Sequence, residues 1–148
     1  QDYDKLPDGM ESWWALRSHP WSKNKHDANY SAFYGILLDM VGGKGSQFYI
    51  ENYSNTYAPS IVNKVWDQAS TLGFGQYFVK QPGGQVMDDH YFVNKNAKIP
   101  MVDIIPSDPI DGGFGDFHHT HDDNMDIISK ETLRAVGETV LHVIYKEK

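Results

Sequence analysis

The spacing of apolar positions changes period several times along this chain, and each change marks an element. Phe33 to Gly43, FYGILLDMVGG, is a continuous apolar run without period-two alternation. Such a run suits a strand covered on both faces and closed by a glycine turn. Asp39 is the one charge inside it. Between Tyr57 and Gly73, the residues Ile61, Val65, Ala69 and Leu72 fall at helical spacing, with Pro59 in the first turn and Gly73 as the stop, so a helix is predicted there. The stretch from Trp13 to Lys23, WWALRSHPWSK, reads as a short amphipathic helix that Pro20 would end or kink. A short strand is expected near Gln76 to Lys80, then a turn at QPGG, then a helical turn led by the aspartates of VMDDHYFVNK. Ile99 to Pro106, IPMVDIIP, is rich in β-branched residues and predicts a second buried strand.

A long segment follows, SDPIDGGFGDFHHTHDDNMD, with one proline and three glycines. Loops of this length inside a compact domain are usually functional or disordered. The chain then closes on a helix from about Lys130 to Tyr145, started by Ser129 as N-cap, with Leu133, Val136, Val140, Leu141 and Ile144 on one face. Strands and helices in alternation predict an α/β sandwich. The 148 residues suit one domain.

Composition narrows the chemistry. A net charge of −7 argues against nucleic acid as a partner, because Lys and Arg are scattered among more numerous acids. No apolar run reaches the roughly 18 residues that a membrane span needs. With no cysteine, thiol nucleophiles and thiolate metal sites are excluded, so a metal would have to be held by His, Asp and Glu.

Three places carry candidate chemistry. Asp39 sits in an apolar strand, where a carboxylate must be hydrogen-bonded, metal-bound or sharing a proton. Asp88 and Asp89 read most simply as a helix cap; brought beside Asp39, one of them would share its proton and give an acid and a base in one site. In FHHTHDDN, His118, His119 and His121 are either metal ligands oriented by Asp122 or Asp123, or members of a solvated polar loop. If that segment is extended, His119 and His121 face one side and His118 the other. Trp13, Trp14, Phe114 and Phe117 are aromatics of the kind that ordinarily fill a core, but Phe114, framed by glycines in GGFGDF, is suited to a pocket wall. His19, His26 and His142 are assigned no role.

The succession LLDMVG, DDHYF, IPMVDIIP and HHTHDDNMD resembles the second half of the zinc-dependent aminopeptidase and glutaminyl cyclase family. The likeness is strongest from Phe33 onward and is greatest to bacterial glutaminyl-peptide cyclotransferases of the animal type. It implies a three-layer sandwich with a central mixed, mostly parallel sheet flanked by helices, of which residues 1–148 would be the C-terminal part of one catalytic domain. It also implies that His119 is a zinc ligand, and that Asp39 and Asp88 are the paired catalytic carboxylates of a cyclase. In an aminopeptidase, Asp39 would ligate a second zinc instead. Phe114, His118 and Trp14 fall at the substrate slot, with His118 standing where the animal cyclases carry a tryptophan. The remaining zinc ligands and the proton-shuttling glutamate belong to the family's first half; whether Asp2 of QDYD is one of those ligands stays open.

The activity so implied is conversion of the N-terminal Gln of a peptide to pyroglutamate with release of ammonia. The alternatives are removal of N-terminal residues by an aminopeptidase, and a noncatalytic half-site that only grips peptides. Bacterial members of this kind are generally exported, which implies an extracytoplasmic location.

Overall fold

The computed structural model describes residues 15–110 and 113–147. Four short strands and five α-helices follow one another: α1 (Ser18–Lys23), β1 (Gly35–Leu38), β2 (Phe48–Ile50), α2 (Asn52–Tyr57), α3 (Pro59–Thr71), β3 (Phe78–Pro82), α4 (Asp89–Phe92), β4 (Met101–Ile104) and α5 (Lys130–Tyr145). The α/β class expected from the alternation is present. The strands form two parallel pairs, β1 with β4 and β2 with β3. In the first pair, Leu37 stands opposite Asp103 and Leu38 opposite Ile104.

The two long helices form where they are expected. Pro59 opens α3 at its first turn, and Gly73 follows its end at φ 84°, a left-handed conformation that costs glycine nothing. Ser129 caps α5, its Oγ accepting from the Thr132 amide at 3.1 Å. Between these helices and the strands lies the core of Phe48, Val62, Val65, Trp66, Phe78, Val102, Ile104, Val136 and Val143, among others. Burying each large side chain contributes about 1.5 to 3 kcal/mol. The Trp66 indole N–H is also satisfied there, donating to the Phe48 carbonyl at 3.1 Å.

Several expectations need correction. The buried face of α5 is Thr132, Ala135, Val136, Thr139 and Val143. Leu133, Leu141 and Ile144 lie about half exposed, so of the predicted apolar stripe only Val136 and Val140 pack against the core. The strand in the first apolar run is only four residues long and is not covered on both faces: Leu38 is 45 % exposed and Phe33 nearly fully so. Among the described residues β1 pairs with β4 alone. Pro20 does not end α1 but sits in its first turn, where the missing N–H has no partner to lose. The sequence reading passed over β2, α2 and a π-helical turn at Val93–Ala97.

The edge of β4 away from β1 is closed by side chains. Asn94 accepts from the Met101 amide at 2.9 Å and donates to the Met101 carbonyl at 2.7 Å, while Ser54 Oγ accepts from the Asp103 amide at 2.9 Å. These bonds tie α2 and the π-turn to β4, and with it the segment that carries Asp88.

Candidate active site

Asp39 is the first residue past β1. Its amide donates to the Ile104 carbonyl at 3.2 Å, and Met40 then turns the chain at φ 50°. The carboxyl is thereby held at the carboxyl end of the parallel pair, where loops gather in sheets of this kind. Asp88 reaches it from α4. The Asp88 side chain caps that helix, accepting from the Asp89 amide at 2.6 Å, and it also hydrogen-bonds the Asp39 carboxyl. The capping reading and the pairing reading therefore hold together. Burial, then the charge of Asp88 and the hydrogen bond to it, push the Asp39 carboxyl above its ordinary range; the Met40 amide and the His118 ring pull it partly back.

They open onto a cavity of about 510 Å³. Its polar wall is Asp39, Asp88, His118 and His119, and its apolar wall is Met40, Val86, Met87, Ile105 and Phe114. The histidine segment is turned rather than extended. Gly115 adopts φ 92°, and a Cβ there would lie 2.9 Å from the Phe117 ring; His118 then donates to the Gly115 carbonyl at 3.1 Å, and His119 takes φ 59°. As a result His118 and His119 face the cavity together, their rings stacked at 3.8 Å, with Phe114 4.9 Å from His118. The opposite-faces expectation fails because an extended backbone was assumed. His121 is exposed and does not line the cavity. Around it the polar-loop reading accounts for the residues: Thr120 bonds Phe117 and Asp122, and Asn124 caps the next turn by accepting from Asp126.

Of the residues singled out in the sequence, Asp39, Asp88, Phe114, His118 and His119 come together around one cavity. Trp14 and Asp2 lie outside the described residues. Among the described residues, no group of three or more His, Asp or Glu is arranged to hold a metal ion. A catalytic zinc needs three protein ligands and an open position, and the imidazoles of His118 and His119 and the carboxyls of Asp39 and Asp88 are the groups lining this cavity that could contribute part of such a set.

Beneath the acid pair lies a cluster that the sequence reading missed. Glu51, His90 and Asp103 are fully buried. Glu51 caps α2, accepting from the amides of Tyr53 and Ser54, and it also accepts from Val86. His90 Nε2 lies 2.9 Å from Glu51 Oε2, and His90 Nδ1 lies 3.4 Å from Asp103 Oδ2. The second approach is in ion-pair range but not in hydrogen-bond geometry, since neither Asp103 oxygen has a hydrogen-bond partner among the described residues. Burial raises the Asp103 carboxyl, and the charges of Asp88, Asp39, Glu51 and Asp89 add to that, to about 9. Burial also acts to raise Glu51, but His90 and the backbone amides outweigh it and leave that carboxyl below its ordinary range. The signal for Asp103 was in the sequence: it is the single acid in IPMVDIIP, as Asp39 is in its own apolar run.

Comparison with known proteins now bears on this geometry. Residues 9–144 match the family described as peptidase family M28. Glutaminyl cyclases from Porphyromonas gingivalis and Bacteroides thetaiotaomicron, the latter solved bound to N-acetylhistamine, are each 48 % identical to the chain with TM-scores of 0.89. The chain is covered over 97 % and 100 % of its length in these two, and spans 52 % and 50 % of theirs. A Zn-dependent exopeptidase from Parabacteroides distasonis is 46 % identical, with a TM-score of 0.89, over 97 % of this chain and 50 % of that one. Aminopeptidase YwaD of Bacillus subtilis is 29 % identical over 116 residues, 74 % of this chain and 24 % of that protein. The chain thus spans about half the length of the solved structures it matches and a smaller share of the curated relative.

Proposed function

Because the chain belongs to peptidase family M28, we propose that it is the C-terminal part of a zinc-dependent glutaminyl cyclase, acting on the N-terminal Gln of peptides. The observation that carries this reading is the Asp39–Asp88 carboxyl pair at the cavity wall. A pair that shares one proton offers an acceptor and a donor to the same substrate. In the reaction, the peptide's α-amine nitrogen bonds to the side-chain amide carbon of Gln, and the bond from that carbon to the amide nitrogen breaks. The amine gives up one proton and the departing nitrogen gains one, carried by the shuttle glutamate that belongs to the family's first half, so that ammonia leaves and pyroglutamate remains at the peptide's N-terminus.

This chain's residues chiefly position the reactants. Asp39 and Asp88 hold the amine and amide N–H groups so that the side chain folds back on its own amine, a gain in proximity that is among the larger contributions to such a reaction. Phe114 and His118 wall the slot. His119 supplies one zinc ligand, the others lying outside the described residues. When bound, zinc supplies a Lewis acid for the amide carbonyl.

The aminopeptidase reading is kept because a solved structure described as a Zn-dependent exopeptidase shares the fold and a relative described as an aminopeptidase matches in sequence. Mass analysis of a Gln-initiated peptide after incubation with the intact zinc-loaded protein separates the two. Loss of ammonia with the chain uncut is the expected product; release of a free N-terminal residue overturns the cyclase reading. Action outside the cytoplasm belongs to the same proposal.

A further inference from the structure

We propose that Glu51, His90 and Asp103 form a buried relay that positions Asp88 against Asp39 and holds Asp103 as a neutral, proton-bearing acid beneath that pair. The relay deepens the proposed site, and in its catalytic consequence it rests on that reading.

Geometry comes first. The helix that Asp88 caps is only four residues long, too short to fix its own orientation. What fixes it is His90, two residues past Asp88, buried between Glu51 at the head of α2 and Asp103 on β4. The same short helix is held from outside by Ser18, whose hydroxyl donates to Asp89 at 2.6 Å. Leu37 and Asp103 are register partners in a parallel pair, so Asp103 and Asp39 project from the same face of the two strands.

The proton count follows. The Glu51 carboxylate accepts from His90 Nε2–H as well as from backbone amides. With that tautomer, Nδ1 presents a lone pair to Asp103. An ionised Asp103 would face this lone pair with both oxygens buried and unbonded, at a cost of several kcal/mol. It would also meet the negative charges of Asp39, Asp88, Asp89 and Glu51; Tyr53 of α2, 6.4 Å from the His90 ring, adds no positive charge. A protonated Asp103 removes both the repulsion and the cost of an ionised carboxyl buried without a hydrogen-bond partner. The acid pair above then works over a neutral floor.

The test uses the intact protein. Infrared difference spectra between wild type and Asp103→Asn should show a protonated-carboxyl band at pH 7, absent from the variant and titrating away with a midpoint near about 9. In turnover, Asp103→Asn should move the alkaline limb of kcat/KM to higher pH, and His90→Gln should lower kcat more than it raises KM. A purely structural role would lower Tm and leave the limb in place. If Asp103→Asn fails to fold, carboxyl-carbon NMR of labelled wild-type protein serves instead, with one aspartate expected to titrate well above pH 7. Absence of that resonance, absence of the infrared band or an unmoved limb overturns the relay. A protein without cyclase turnover that still shows the band would sink the functional reading and leave the protonated Asp103 standing.

Discussion

At the scale of single residues, the site rests on where a few side chains were forced to point. Asp39 was legible, because an acid at the end of an apolar run must find a partner. Asp88 was legible only as half of an alternative, since a cap and a proton-sharing partner look the same in sequence. His90 and Glu51 were not legible, because their significance lies in burial between elements 39 residues apart. The histidine segment divides sharply. His119 faces the cavity, whereas His121 is exposed outside it. In the zinc-loaded protein, His119→Ala should therefore lose bound zinc and bring turnover to background, while His121→Ala should keep both. Metal analysis with steady-state rates checks this, and equal damage from the two replacements would mean that the ligand set is different.

Among elements, the long helices announced themselves, and the short ones did not. Pro59, Gly73 and Ser129 act locally, so the bounds of α3 and α5 could be read from single residues. The four strands average too few residues for a period to show, and the edge of β4 is completed by Asn94 and Ser54 rather than by another strand. The segment SDPIDGGFGDFHHTHDDNMD stood out by its length as functional or disordered, but the turned backbone of its histidine stretch depends on Gly115 at φ 92°. Gly115→Ala should cost about 1 to 3 kcal/mol in loop order, through strain and contact with Phe117. Its expected signature is a raised KM for the peptide with little change in Tm, measured by kinetics and calorimetry on the same preparation. A large fall in Tm would place the loop in the core instead.

Taken as a whole, the molecule puts negative charge at the carboxyl end of its strands, and that placement has a pH signature. A carboxyl whose pKa rises on folding favours the folded state fully below its unfolded value, and the benefit is lost as pH climbs through the folded value. Asp103, raised from 3.8 to about 9, should thus make stability fall as pH rises between those limits. Asp103→Asn should flatten that slope in denaturant titrations run at several pH values, and an unchanged slope would show that Asp103 is already ionised. The central claim, that the Asp39–Asp88 pair is the reactive unit, is tested most directly by kcat/KM of Asp88→Asn in the intact zinc-loaded protein on a Gln-initiated peptide. Asn caps a helix as well as Asp does, so the fold and the metal content should persist while a carboxylate acceptor for the substrate's N–H groups is lost, with kcat/KM down by about 10²-fold. A variant that keeps both its zinc and wild-type turnover would contradict the account.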